Sequence, residues 1–143
     1  MSEVEPHTLV LDTHAWLWLA FADARIRNSP AREAVEQART KGGVIVSAIS
    51  VWEVALLESK SRIQLYQDCY QWIRMALSAP GVILQPLKPE IAIESTRLPG
   101  EFHADPADRF LVATSRYLNA PLVTADARIL DYGKQGYVRT MAV

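Results

Sequence analysis

Four acidic residues, Asp12, Glu53, Asp108 and Asp126, lie far apart in the chain, each where folding alone does not require a carboxylate. Asp12 ends the apolar run Leu9-Val10-Leu11, and Asp126 follows Leu122-Val123-Thr124-Ala125. Glu53 interrupts Val51-Trp52-Glu53-Val54-Ala55-Leu56-Leu57, and Asp108 opens the stretch Arg109-Phe110-Leu111-Val112-Ala113. Carboxylates are rarely buried without a partner. Two of them about 4 Å apart repel by roughly 4 kcal/mol at an effective dielectric of about 20. A fold that gathered all four would therefore protonate some of them or recruit a cation. An all-oxygen donor set, without Cys or clustered His, selects Mg²⁺ or Mn²⁺ over Zn²⁺. Such an ion binds phosphate oxygens and activates water, which points to metal-dependent phosphodiester chemistry.

Each acid also has a plainer explanation. Asp12 and Asp126 could cap the helices that follow them, since Asp is favoured there. Glu53 could sit on a narrow solvent stripe with Ser50 and Lys60. Asp105 before Pro106 fits an N-cap with proline at the first helical position, and Asp108 then falls in the first turn, where the helix dipole favours an acid. We expect Asp108 to be the direct ligand, with Asp105 as cap or water-bridged support. Thr13 and Thr124 flank two of the acids and could hydrogen-bond a carboxylate or help hold a phosphate. His14 is expected as a hydrogen-bonded, partly buried imidazole, and His103, two residues before Asp105, as the better candidate for substrate contact. Trp16, Trp18, Trp52 and Trp72 fall at core-like spacings and are expected to pack, in the core or at a subunit interface, rather than to stack on bases. The helix around Trp16 and Trp18 and the Trp52–Leu57 segment offer surfaces for a dimer or a partner protein.

The elements that must position these groups alternate in type. Thr8-Leu9-Val10-Leu11, Val44-Ile45-Val46, Val82-Ile83-Leu84 and Leu122-Val123-Thr124 read as short strands, with Tyr137-Val138-Arg139-Thr140 as a fifth at an edge. Between them, helices are expected through Trp16 to Ala20, from Ser29-Pro30 to about Lys41, through Glu53, from about Asp68 to Ser78, from Pro89 to Thr96 and from Asp105 to about Asn119. Short apolar strands alternating with helices predict a three-layer α/β/α domain around a mostly parallel sheet of four to five strands. Open parallel sheets bind ligands at the carboxyl ends of their strands, which is where Asp12 and Asp126 fall.

At 143 residues the chain is long enough for one domain with a substantial core. Residues 1–7 read as a flexible lead and 8–143 as the single domain. A formal net charge of −1 excludes the bulk positive field of a protein that coats nucleic acid. The one cysteine, Cys69, cannot form an internal disulfide and reads as a small buried side chain. No signal-peptide pattern and no apolar run long enough to span a bilayer are present, so a cytoplasmic location without membrane contact is expected.

Taken together, four segments resemble the PIN-domain nucleases, and specifically the VapC-type ribonuclease toxins of toxin–antitoxin pairs. They are Leu9-Val10-Leu11-Asp12-Thr13-His14-Ala15-Trp16-Leu17, Ser47-Ala48-Ile49-Ser50-Val51-Trp52-Glu53-Val54-Ala55, the stretch from Leu98 through His103, Asp105 and Asp108 to Arg109, and Leu122-Val123-Thr124-Ala125-Asp126. The resemblance covers nearly the whole chain, in family order. It implies an acidic quartet, here Asp12, Glu53, Asp108 and Asp126, that binds Mg²⁺ or Mn²⁺ and cleaves single-stranded RNA by metal-activated water, leaving a 3′-hydroxyl and a 5′-phosphate. It also implies a homodimer inhibited by a small antitoxin of VapB type. Many relatives carry a Lys four residues after this Glu and a Gly near position 61; here those positions are Leu57 and Ser61, with Lys60 and Arg62 nearby. Lys60, Arg62, His103, Arg109 and Arg128 are the candidates for RNA contact.

Two other readings remain at this point. A phosphatase with an aspartyl nucleophile is disfavoured because His14, not a second Asp, stands two residues after Asp12. A catalytically inactive PIN-like module that binds RNA or protein is disfavoured because it has no need of four converging acids.

Overall fold

The computed structural model describes residues 7–143; the expected lead therefore lies, except for His7, outside the described residues. Five parallel strands form one sheet in the order β3-β2-β1-β4-β5, namely β1 (Leu9–Leu11), β2 (Val44–Ser47), β3 (Val82–Gln85), β4 (Leu122–Thr124) and β5 (Thr140–Ala142). Eight helices connect them: α1 (Thr13–Ala20), α2 (Ala24–Arg27), α3 (Arg32–Lys41), α4 (Ala48–Ser59), α5 (Cys69–Leu77), α6 (Pro89–Thr96), α7 (Pro106–Leu118) and α8 (Ala127–Lys134). The three-layer α/β/α arrangement is the one expected.

Successive strand side chains point to opposite faces, and the apolar runs supply both. Leu9, Leu11, Val44, Val46 and Val123 enter one core with Trp16, Val35 and Trp72. Val10, Ile45 and Leu122 enter the other with Ile91, Leu111, Val112 and Ile129. Each fully buried aliphatic side chain contributes roughly 1.5–3 kcal/mol. Helix α4 spans the two layers, placing Val54 in the first core and Ile49 in the second.

The chain leaves the central strand β1 for β2 and β3 on one side, then returns to lay β4 on the other. The β1/β4 boundary is thus the point where strand order reverses, and a crevice opens beyond the carboxyl ends of these two strands. Four of the helix starts at that edge are capped by a side chain from the strand or loop before them, α6 after β3 being the exception. Asp12 accepts from Ala15 N–H, Ser47 from Ile49 N–H, Asp105 from Asp108 N–H and Asp126 from the Arg128 and Ile129 N–H groups.

Several elements differ from expectation. The edge strand is Thr140–Ala142, three residues beyond the predicted start, because Val138 turns inward and packs in the second core. Helix α3 starts at Arg32, not Pro30: the Ser29 hydroxyl accepts from Ala31 N–H and closes a turn first. Cys69 is half-buried rather than buried. Gly81 is required where it stands, since at φ +82° an added Cβ would lie 2.1 Å from the Arg39 carbonyl oxygen. No helix among the described residues is long and apolar enough to cross a membrane.

Candidate active site

The crevice is a cavity of about 400 Å³ whose wall includes Asp12, Glu53, Asp105, Asp108 and Asp126. All four acids singled out in the sequence reach it, each from a different helix start or helix face. Asp12 is buried and shares the floor with Thr124, whose hydroxyl donates to Asp12 Oδ2 at 2.5 Å. The same Thr124 oxygen accepts from Asp126 N–H at 3.0 Å, so one hydroxyl sets both acids that follow the reversing strands. Thr13 is buried in the first turn of α1, donates to Glu53 Oε1 and shares a hydrogen bond of 2.9 Å with Ser50. Glu53 therefore does not lie on a solvent stripe: Ser50, its supposed neighbour in water, is wholly buried.

Crowding and burial shift these groups in characteristic directions. Burial raises the Asp12 carboxyl above its ordinary value, against the pull of the Thr124 and Ala15 hydrogen bonds. Burial likewise raises Glu53, opposed by Thr13. Asp108 is pushed up to about 7, first by burial and then by the charges of Asp105, Asp126 and Glu53. For Asp126 burial acts upward, but the Arg128 guanidinium and two backbone N–H groups outweigh it and hold the carboxyl low. Arg128 reaches Asp126 at 3.2 Å and Asp108 at 3.6 Å, bringing positive charge to the acidic wall.

Asp105 takes the capping role expected of it, accepting from Asp108 N–H at 3.0 Å. His103 Nδ1 accepts from Asp105 N–H, which leaves the proton of the neutral ring on Nε2. That nitrogen is buried and lies 3.1 Å from Asp108 Oδ2, yet the angle is not that of a hydrogen bond and it has no partner. Burial and the nearby Arg128 lower the His103 pKa, favouring the neutral ring.

Not every expected residue serves this edge in the way foreseen. Arg109 gives its guanidinium to the carbonyls of Ser95, Phe102 and His103 at 2.7–3.1 Å. Through Nε and Nη1 it is a staple for the loop entering α7. Gly100 belongs to the same loop, where a side chain would meet the Tyr137 ring at 2.6 Å. His14 is exposed on the cavity wall rather than partly buried. Trp16 and Trp72 pack as expected, with ring centroids 5.6 Å apart. Trp18 instead lines the cavity, 6.1 Å from the His14 ring and 4.6 Å beneath the Arg25 guanidinium, and Trp52 is exposed. Sequence offered one signal for these two: a tryptophan beside a charged candidate site is a poor core residue. Lys60 and Arg62 are exposed at the end of α4.

The donor set suits a hard divalent cation, being entirely carboxylate and hydroxyl oxygen, and Asp12, Glu53 and Asp108 are raised first by burial and then by neighbouring acids. Among the described residues no three acidic, His or Cys groups stand close enough together to enclose an ion as they are. The carboxylates are turned toward Thr124, Thr13 and Arg128.

The PIN domain model matches residues 9–135. The chain belongs to the PIN-domain family. Its match spans β1 through α8 and includes all four acids. Among curated proteins this PIN domain is 34% identical to Ribonuclease VapC22 of Mycobacterium tuberculosis over 125 residues, 87% of this chain and 92% of that one. Among solved structures, a VapBC2 complex of Rickettsia felis bound to a promoter DNA fragment superposes with a TM-score of 0.67 at 13% identity, covering 94% of this chain and 98% of that one. A toxin–antitoxin complex of Klebsiella pneumoniae gives a TM-score of 0.55 at 24% identity over 85% and 88%. At these identities the two structures speak for a shared fold.

Proposed function

We propose that this chain is a Mg²⁺-dependent endoribonuclease that cleaves single-stranded RNA and acts as the toxin of a toxin–antitoxin pair, with Mn²⁺ able to substitute. The observation that carries the reading is the arrival of Asp12, Glu53, Asp108 and Asp126 at one cavity where strand order reverses. The 34% identity to a ribonuclease over most of both chains supports the same activity here. Residues 8–143 act as one nuclease unit, in the cytoplasm, as a homodimer with a small antitoxin of VapB type.

Asp12, Glu53, Asp108 and Asp126 would hold the ion. Bound there, it would supply Lewis acidity to a phosphate oxygen and lower the pKa of a water. Thr124 and Thr13 orient Asp12 and Glu53 through their hydroxyls, so the acids keep their aim as charge enters the cavity. Asp105 secures the start of α7 and with it Asp108. Arg128, 60% exposed and already close to Asp108 and Asp126, is placed to exchange those acids for a substrate phosphate. His103 Nε2 is buried 3.1 Å from Asp108 Oδ2, so its influence on the site would run through that carboxylate.

The test is cleavage of single-stranded RNA by the purified protein with Mg²⁺ or Mn²⁺, against the same reaction in EDTA, with fragment ends sequenced. Metal-dependent cuts with 5′-phosphate ends are expected. RNA left intact in every divalent metal, by protein free of antitoxin, defeats the reading.

A further inference from the structure

We infer that the cleft between α4 and the start of α7 is a nucleobase site, in which the Trp52 ring stacks on an unpaired base next to the phosphate that is cut. This rests on the nuclease reading for its substrate class and goes beyond it in naming a recognition residue.

Trp52 is 50% exposed although it lies in the middle of an apolar helix. Trp52, Leu56 and Lys60 follow one another at four-residue spacing, so they lie along one face of α4. Together with Leu57 they line a cleft of about 180 Å³ closed on the other side by Pro106 and Ala107 of α7. Room of that order suits a single flat ring. Glu53 and Asp105 belong both to this cleft and to the acidic cavity, so the two are contiguous.

The charge pattern along this path matches one nucleotide of a single strand. At one end stand the acids proposed to hold the metal, which would in turn receive the scissile phosphate. At the other, Lys60 caps the carboxyl end of α4 and Arg62 follows Ser61, which takes the left-handed conformation at φ +57°. Both cations are exposed, and neither belongs to an ion pair among the described residues. An apolar slot with an aromatic wall therefore separates two positions suited to phosphates. Aromatic stacking flanked by backbone-binding cations is how unpaired strands are held, because every base offers a π-face. Base-paired RNA keeps its bases inside the helix and could not enter.

The experiment pairs Trp52→Ala and Trp52→Phe with an RNA oligonucleotide of mapped cut position, and with the same oligonucleotide made abasic beside the cut. Trp52→Ala is expected to raise KM by about 5- to 150-fold, the range for losing one stacked base, with kcat changed less than about threefold. Trp52→Phe should restore KM to near wild type. The abasic substrate should weaken wild type by a similar factor and Trp52→Ala hardly further, because partners in one contact are not additive. Binding is read separately in an Asp12→Asn background with Mg²⁺, with and without Trp52→Ala. An unchanged KM in a folded Trp52→Ala protein, or losses that multiply with the abasic substitution, overturns the base site and leaves the nuclease standing. A change from dimer to monomer without a change in KM would assign the cleft to a second copy instead, and also overturns it. Trp52-dependent binding of RNA that wild type never cuts would retain the base site and remove the nuclease. The abasic arm uses wild-type protein, so it decides even if Trp52→Ala fails to fold.

Discussion

The two edges of the sheet treat charge in opposite ways. At the carboxyl edge five acids line one cavity, Arg128 is the cation that reaches them, and Asp108 is pushed up to about 7. At the amino edge a polar cleft contains Arg116 and Arg139, and there Arg116 is paired with an acid while Arg139 bonds a backbone carbonyl. Arg116 Nε donates to Glu94 at 2.9 Å and its Nη1 to the Tyr137 carbonyl, while Arg139 donates to the Asn119 carbonyl at 2.8 Å. The amino edge is satisfied by its own chain. The carboxyl edge leaves its acids crowded, and unresolved local conflict of this kind concentrates at functional sites.

The contrast breaks most sharply at Asp12. Asp12→Asn should lower metal-dependent RNA cleavage by at least about a thousandfold, with the thermal midpoint equal or higher because a buried charge is removed. A large fall in midpoint, or cleavage within tenfold of wild type, would place Asp12 among the structural caps. Thr124→Val comes next: without the hydroxyl that sets Asp12, metal affinity or cleavage should fall by about 10- to 100-fold. Titration with Mn²⁺ checks it, and parity with wild type would make Thr124 a bystander. Arg116→Ala probes the opposite edge. It leaves the Tyr137 carbonyl unpaired and should cost about 1–3 kcal/mol in urea denaturation, with cleavage per folded molecule unchanged.

The smallest effect is on pH. Asp108 binds its proton more tightly folded than unfolded, since its folded pKa of about 7 exceeds the ordinary 3.8. Between those values the native state holds more protons than the unfolded one, so metal-free stability should fall as pH rises from about 4 to about 7. After screening, the change attributable to this group is on the order of 1 kcal/mol. Mg²⁺ or Mn²⁺ should flatten the decline, and Asp108→Asn should remove most of it; a slope untouched by that substitution would contradict the assigned cause.

Much of the frame was legible because it rests on short-range chemistry. Leu9-Val10-Leu11 and Leu122-Val123-Thr124 are strands buried on both faces, and such strands read as continuous apolar runs. The acids stood out because they follow or interrupt those runs. Other features depend on what packs against them. Helix α2 is a single turn, and its start at Asp23 looks the same as a loop acid until the cap forms. Arg109 looked free because its acceptors are backbone carbonyls as far as 14 residues away, which no side-chain pattern announces. Trp52 looked like core, since a tryptophan among Val and Leu is ordinarily buried. Its exposure is decided by how far α7 covers α4, a tertiary fact.

One contact has a temporal meaning. The Thr124 hydroxyl meets Asp12 across a separation of 112 residues, and Asp126 lies two residues further on. A growing polypeptide that ends before residue 122 therefore has no floor to its cavity and lacks one of its acids. The cavity closes only when the last strands emerge and pack against the first, so its acids are brought together at the end of synthesis and not during it.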